Sequence, residues 1–431
     1  MNKPTFVISC PIDTYSGYGA RSRDVVKAII ELDKYNVKIL PQRWGSTPFG
    51  FIKDNPEWEF LMPYVTQQLT AQPDIWCQVT VPNEFQQVGK YNIGITAGIE
   101  STIAPGDWVE GCQRMNLVLG SSKHTIDILR NSKFEKRDSN TQQVVGIIEW
   151  TGDGDILFEG ANTELYKPDT KPCLIDFNVK EDFAFLFVGH WIGNTPIGED
   201  RKNITLLIKA FYETFKNKTK KPALILKTTQ VGASYMDRTE LIRRIKAIKS
   251  TVDSKNLPNI YLLHGEFTDE EMNGIYNHSK VKAMVNLTKG EGFGRPLLEF
   301  SLTNKPILST NWSGHTDFLN PEFTTLLPGQ LTNIHPSSAN NMLLQEAQWF
   351  SVDYGQAGYH MKDMFENYKG YAEKAKRQGY YSRTNFSFEK MKEKLDTLLT
   401  EKLPEFPKQV QLQLPKLKKI ELPKLNKVEA E

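Results

Sequence analysis

The chain has 431 residues, enough for two domains of common size, each with its own core. Its 39% hydrophobic and 24% charged residues are ordinary for a globular protein, and 53 basic against 51 acidic residues leave a formal net charge of +2. The segment from Glu401 onward carries seven Lys and five Glu and accounts for that surplus alone, so the neutral body gives no electrostatic argument for nucleic acid or membrane as partner. No apolar run reaches the roughly 18 residues of a membrane span. The start, Met1-Asn2-Lys3-Pro4, lacks the apolar region and cleavage site of a signal peptide. Four scattered cysteines (Cys10, Cys77, Cys112, Cys173) without C-x-x-C spacing argue against a disulfide framework or zinc site, and for a reducing cytoplasm.

In chain order, Thr5–Cys10 reads as a buried strand running into Pro11–Gly19, a Gly-containing loop, and then a helix over Ala20–Leu32. Strand, loop, helix is the opening of a doubly wound α/β domain. Further strands are predicted at Tyr35–Leu40, Ile75–Val79, Tyr91–Thr96 and Leu117–Gly120, with a helix near Thr125–Asn131 and a polar surface loop at Lys133–Gln143. Ile156–Pro168 reads as a strand leaving the first domain and a linker. A second α/β pattern follows, with strands at Phe183–Gly189, Ala223–Lys227, Ile260–Leu263, Ala283–Leu287 and Pro306–Ser309. Its helices fall at Asn203–Asn217, Arg238–Ser250, Asp269–Asn277 and Pro296–Thr303. Phe386–Thr400 is a last amphipathic helix, and Leu403–Glu431, dense in Pro and Lys, an extended tail. These patterns divide the chain into Rossmann-like halves at 1–165 and 166–385, a helix at 386–402 returning to the first half, and a tail at 403–431.

The strongest chemical signal is Lys289-Gly290-Glu291-Gly292-Phe293-Gly294-Arg295-Pro296-Leu297-Leu298-Glu299. Two Glu flank a Gly-Phe-Gly loop that enters a helix accepting Pro296 in its first turn. The loop lets backbone approach a ligand, and the helix start aims N–H groups at negative charge, which suits a diphosphate. Glu299, one turn in, can accept from ribose hydroxyls, and Glu291 from hydroxyls of a transferred sugar. The plainer alternative is a surface turn with a helix-start Glu.

This constellation resembles the E-x7-E motif of retaining GT-B glycosyltransferases, especially family 4. Its surroundings are similar too. Phe185–Gly189 resembles the strand that ends at the donor phosphates. Asp200-Arg201-Lys202-Asn203 resembles the phosphate-binding Lys and its helix. Tyr261–Glu266, with His264 and Gly265, resembles the loop that holds the base, and Lys305–His315 the strand and Gly loop after the motif. In the first half Gly98-Ile99-Glu100, Pro105, Trp108 and Ser121-Ser122 are similar to some members, and Ser16–Arg23 resembles glycosyltransferases of large tailed phages. The resemblance implies a two-domain GT-B fold with a C-terminal crossover helix. It also implies retaining transfer from a nucleoside-diphosphate sugar, with the leaving phosphate accepting the acceptor's proton.

Two departures stand out. The family's Arg after the first donor-domain strand is replaced by His190-Trp191 and a polar insertion, Ile192–Glu199. The family's first-domain His is absent, with Gly98-Ile99-Glu100 in its place. The resemblance therefore assigns Glu291, Lys202 and Glu100 to catalysis. It assigns Glu299, Gly292, Phe293, Gly294, Arg295, Arg201, His190, His264, Gly265, Gly17 and Gly19 to donor binding. Asp153-Gly154-Asp155 could suggest a metal, but reads better as a turn at the domain end, so no metal or other cofactor is expected. The acceptor expected is a glycan or small molecule. A hydroxymethylated DNA base is the alternative, served by a local basic strip of Arg21, Arg23 and Lys123. An epimerase or phosphorylase on the same fold, and a non-catalytic sugar-nucleotide-binding protein, complete the alternatives.

Overall fold

Short apolar runs bounded by Gly, Pro and Asx residues become strands buried on both faces, and the amphipathic segments between them cover those faces. The computed structural model describes residues 3–169, 175, 178–193, 195–230 and 232–406. The first half holds β1 (Thr5–Cys10), α1 (Gly17–Leu32), β2 (Asn36–Pro41), α2 (Phe51–Asp54), β3 (Ile75–Val79), β4 (Tyr91–Thr96), α3 (Gly106–Gln113), β5 (Leu117–Gly120) and α4 (Lys123–Asn131). It ends in β6 (Phe134–Arg137), β7 (Val144–Ile148) and β8 (Asp153–Ile156). Its parallel sheet runs β2-β1-β3-β4-β5-β8.

The second half holds β9 (Ala184–Val188), α5 (Ile204–Phe215), β10 (Ala223–Lys227), α6 (Tyr235–Ser250), β11 (Ile260–Leu263), α7 (Asp269–Asn277), β12 (Val281–Asn286), α8 (Arg295–Ser301), β13 (Ile307–Thr310) and β14 (Thr325–Leu327). Its parallel sheet runs β11-β10-β9-β12-β13-β14. The strand order reverses between β9 and β12. Crevices at such reversals, beyond the carboxyl ends of the strands, are where doubly wound folds bind ligands.

Between Ser309 and Phe386 the sequence pattern assigned no element. There the chain adds β14, the antiparallel hairpin of β15 (Gly329–Asn333) and β16 (Gln348–Val352), α9 (Tyr354–Glu366) and α10 (Tyr368–Asn385). In α10 the apolar stripe is nearly absent: its buried residues are Ala375, Gln378, Gly379 and Ser382.

Two expectations are corrected. The loop predicted at Lys133–Gln143 is partly a hairpin, because Phe134–Arg137 pairs antiparallel with the β-branched run Val144–Ile148. Asp153-Gly154-Asp155 is no turn but most of edge strand β8, in register with Leu117–Leu119. Its carboxylates are tied to α11 (Phe388–Lys402): Lys402 Nζ donates to Asp153 at 2.9 Å, and Lys394 lies 3.3 Å from Asp155.

Helix α11 packs onto the first half. Met391, Leu395, Leu398 and Leu399 are buried in one cluster with Phe6, Ile8, Val25 and Ile29 of β1 and α1. In the tail, Leu403 and Phe406 rest on the same cluster; the tail beyond Phe406, and Cys173, lie outside the described residues. Cys10, Cys77 and Cys112 are buried free thiols. Among the described residues no helix is long and apolar enough to cross a membrane.

Candidate active site

Apolar β9 and β12 carry the chain to the reversal point, and each then turns into a polar segment. After β9 come Gly189 and His190, and later Arg201-Lys202 just before α5; after β12 comes Lys289-Gly290-Glu291. Asp200 anchors the first of these turns, accepting at 2.6 Å from Ile204 N in the first turn of α5. Lys202 Nζ donates to both Glu291 oxygens at 2.6 Å. Arg201 donates to Gly290 O at 2.9 Å and lies 3.0 Å from Glu100 and 3.9 Å from Glu291. Lys202, Arg201, Glu291 and Glu100 therefore form one cluster across the two halves.

Glu291 is buried, which alone pushes its carboxyl up. The charges of Lys202 and Arg201 and the Lys202 hydrogen bonds outweigh that and hold it at about 2. Glu291 N donates to Ser313 Oγ at 2.8 Å, and Asn286 Nδ2 approaches its carboxylate at 3.4 Å. His315 is fully buried near this carboxylate; its Nε2 bonds Thr310 O at 2.7 Å, while Nδ1 has no partner among the described residues.

Around this cluster the ends of β10 and β11 add further groups. Lys227 closes β10, and its charge bears on His190, His264, Glu266 and Glu299. His190 Nδ1 bonds Thr229 Oγ1 and Gln230 O; burial, then the Lys227 charge, pulls it down to about 4, so it is neutral at pH 7. His264 Nε2 is buried without a partner among the described residues, and Gly265 takes φ +144°, a conformation that favours glycine.

Glu299 lies in a second cluster. It accepts from Arg295 Nε at 2.9 Å and from Tyr276 OH at 3.2 Å, and burial lifts its carboxyl to about 7. Arg295 also binds Asp24 of α1 at 2.5 Å and lies 3.9 Å from Glu159, so three carboxylates surround it. Arg295 thus ties α8 to the first half rather than presenting a free cation to a phosphate.

Other expected positions also have structural duties. Phe293 is packed in the core against Phe318, leaving only its backbone for a ligand. Gly294 caps α8 at φ +95°, and the helix takes Pro in its first turn. A Cβ on Gly292 would sit 2.6 Å from Ala97 O, and Ser122 Oγ donates to Gly292 O at 2.6 Å; this glycine lets the halves touch. Gly17 and Gly19 lie in the first turn of α1, not in the loop before it, because Ser16 already caps the helix by accepting from Gly19 N. Gly19 is pressed against Thr14 O, whereas Gly17 faces open space.

The basic strip does not form. Arg21 is buried and donates to Phe158 O and Leu157 O, Arg23 donates to Ile12 O and Thr14 O, and Lys123 pairs with Asp127. The sequence reading also missed members of the site. Lys227 was signalled by a cation ending the apolar run Ala-Leu-Ile-Leu; Asp24, Glu159 and Tyr276 carried no local signal, because only the tertiary fold brings them to Arg295 and Glu299. Among the described residues no group of three or more His, Cys, Asp or Glu could hold a metal ion.

Solved structures share this architecture. A glycosyltransferase from Rickettsia africae aligns at TM-score 0.62 and 12% identity, over 94% of this chain and 99% of its own. Anabaena HepE in complex with UDP and glucose aligns at TM-score 0.61 and 12% identity, over 92% and 100%. This is the GT-B fold. Sucrose-phosphate synthase from Thermosynechococcus elongatus also aligns, at TM-score 0.57 and 11% identity, over 93% and 99%. No family model matches the chain, and no curated protein matches it. At these identities the likeness carries the fold alone, and the chemistry rests on the residues above.

Proposed function

We propose that the chain is a glycosyltransferase that moves a sugar from a nucleoside diphosphate to an acceptor hydroxyl with retention at the anomeric carbon. The observation that carries this reading is the convergence of Arg201 and Lys202 on the buried carboxylate of Glu291 at the carboxyl ends of β9 and β12, with Lys227 closing the neighbouring β10. Three cations at a strand-order reversal suit a diphosphate leaving group. In that reading the phosphates take over hydrogen bonds that Lys202 now gives to Glu291, and the released Glu291 accepts from the sugar's hydroxyls. Glu299, with two of its acceptor positions used, has capacity left for the ribose. Anabaena HepE, solved with UDP-glucose, shares the fold and supports a sugar nucleotide as donor.

In the transfer, the bond from the anomeric carbon to the phosphate oxygen breaks as the acceptor oxygen bonds to that carbon on the same face. The acceptor's proton passes to the departing phosphate oxygen. Arg201 and Lys202 stabilise the charge growing on the diphosphate, and no metal is invoked. We place the donor in 166–385 and the acceptor against 1–165. A glycan or small-molecule hydroxyl is favoured over DNA, since Arg21 and Arg23 are buried on internal carbonyls, which leaves Lys123 alone of that strip exposed, and a duplex needs several free cations on its phosphates. The test is a panel of sugar nucleotides with candidate acceptors, following donor loss and product configuration by NMR. A product of inverted configuration would end the retaining reading, and consumption of no donor with any acceptor would end the transferase reading.

A further inference from the structure

A cavity of about 440 Å³ opens between the insertion after β9 and the β15–β16 hairpin, and none of Lys202, Glu291 and Glu299 lines it. Its lining includes Glu199, Leu206, Lys289, Asn333, His335 and Trp349. Lys289 is the unusual member. Its side chain is only 6% exposed, yet its ammonium makes no hydrogen bond among the described residues. The closest carboxylate, Glu199, is 4.0 Å away, beyond hydrogen-bond range, and the ammonium sits 4.0 Å from the Trp349 ring centre. The stem is buried while the ammonium reaches the cavity, so its three donors are open to an occupant.

The other polar groups are also open on the cavity side. Among the described residues the Glu199 carboxylate accepts no hydrogen bond, Lys289 at 4.0 Å being the one cation paired with it. Asn333 uses Oδ1 to accept from Gln348 Nε2 at 3.0 Å and leaves its amide N–H groups unused, and His335 uses Nδ1 with Ser337. An acceptor-only carboxylate thus faces a donor-only ammonium, with an amide donor and the apolar Leu206 beside them. A hydroxyl can give a hydrogen bond to one and take one from the other, so a polyhydroxylated neutral ring satisfies both. A phosphate or carboxylate would meet Glu199 as a like charge.

We propose that this cavity is a saccharide-binding site separate from the donor cleft, holding one neutral sugar unit through a hydroxyl that bridges Glu199 and Lys289. The site stands on its own geometry and does not require the cleft to be a transferase. Lys289 N donates to Arg201 O at 2.9 Å, so the occupant would rest one residue from the Gly290-Glu291 turn.

The test is titration of the full chain with methyl α-glucoside, maltose and cellobiose, with glucuronate and glucose 6-phosphate as charged controls and UDP as a separate probe of the cleft. At least one neutral saccharide should bind, more tightly than either charged control and together with UDP. Glu199→Gln and Lys289→Met should weaken it about tenfold or more, as expected for loss of a charge-assisted hydrogen bond. Asn333→Ala, at an exposed position, should weaken it by a smaller factor and keeps the test sound should Lys289→Met not fold. Binding of none of the neutral saccharides, tighter binding of the charged ones, displacement by UDP, or unchanged affinity in folded variants would each overturn the proposal. UDP binding is read independently, so loss of the donor-site reading would show separately.

Discussion

Replacing Lys202 by Met leaves Glu291 with its burial and little of its compensation. The Glu291 side chain is 6% exposed, and the cation remaining near it is Arg201 at 3.9 Å. Breaking a buried pair by removing one partner typically costs about 3–5 kcal/mol. The carboxyl can limit the loss by taking up a proton. From its ordinary value of 4.5 to a solution pH of 7, that costs about 3.4 kcal/mol, at about 1.36 kcal/mol per unit. The expected destabilisation at pH 7 is therefore about 3 kcal/mol. It also carries a pH signature. In the wild type the folded value of about 2 lies below 4.5, so the stabilisation is present above pH 4.5 and is lost as pH falls toward 2. In the variant the native state holds a proton that the unfolded chain lacks, so its stability rises as pH falls from 7 toward 4.5. The gap between the two proteins must then shrink from pH 7.5 to pH 5, measured by urea denaturation followed by circular dichroism. A loss under about 1 kcal/mol at pH 7, or one that does not change with pH, would refute the reasoning.

Glu299 has a folded value near 7, so nucleoside diphosphate affinity should rise between pH 6 and pH 8 as the carboxylate forms to accept ribose hydroxyls. Glu299→Gln should lose that rise and bind more weakly at pH 8 by roughly 1.5–3 kcal/mol; calorimetry at the two pH values, against the wild type, checks it. Turnover should survive EDTA. Asp153→Ala should leave it unchanged and cost under about 1 kcal/mol of stability, because the Lys402–Asp153 pair is a surface ion pair; EDTA-sensitive activity restored by Mg²⁺ or Mn²⁺ would contradict this. Ending the chain before Phe386 should give insoluble protein, since burial of Met391, Leu395, Leu398 and Leu399 supplies roughly 1.5–3 kcal/mol each. Ending it after Leu403 should leave turnover intact, and comparing soluble yield and activity of the two truncations decides both points.

The sheets were readable because each core strand is a short apolar run with clear punctuation: Thr5–Cys10, Ile75–Val79, Ala223–Lys227 and Ile260–Leu263 appear with the predicted bounds. The region after Ser309 was not, because α10 packs through Ala375, Gln378, Gly379 and Ser382, residues that carry no apolar periodicity. Glycine gave an ambiguous message. A glycine-rich turn beside a motif looks like an approach to a ligand, yet Gly290 and Gly292 are needed where the second half meets Glu100 O and Ala97 O of the first. Likewise Arg295 carries the right charge for a phosphate, but Asp24 and Glu159 lie more than a hundred residues away in sequence and reach it only through the fold. The Lys202–Glu291 pair was anticipated only as two separate assignments. Their direct contact follows from β9 and β12 being neighbours, a fact of topology and not of local pattern.

The central claim is that the carboxyl ends of β9, β10 and β12 hold a nucleoside diphosphate. Equilibrium titration of the wild type, Lys202→Met and Glu299→Ala with a panel of nucleoside diphosphates tests it most directly. At least one should bind the wild type with one-to-one stoichiometry, and each folded variant should bind it about tenfold or more weakly, as loss of a charge-assisted contact requires. Binding of none, or binding that both variants leave unchanged, would contradict the account.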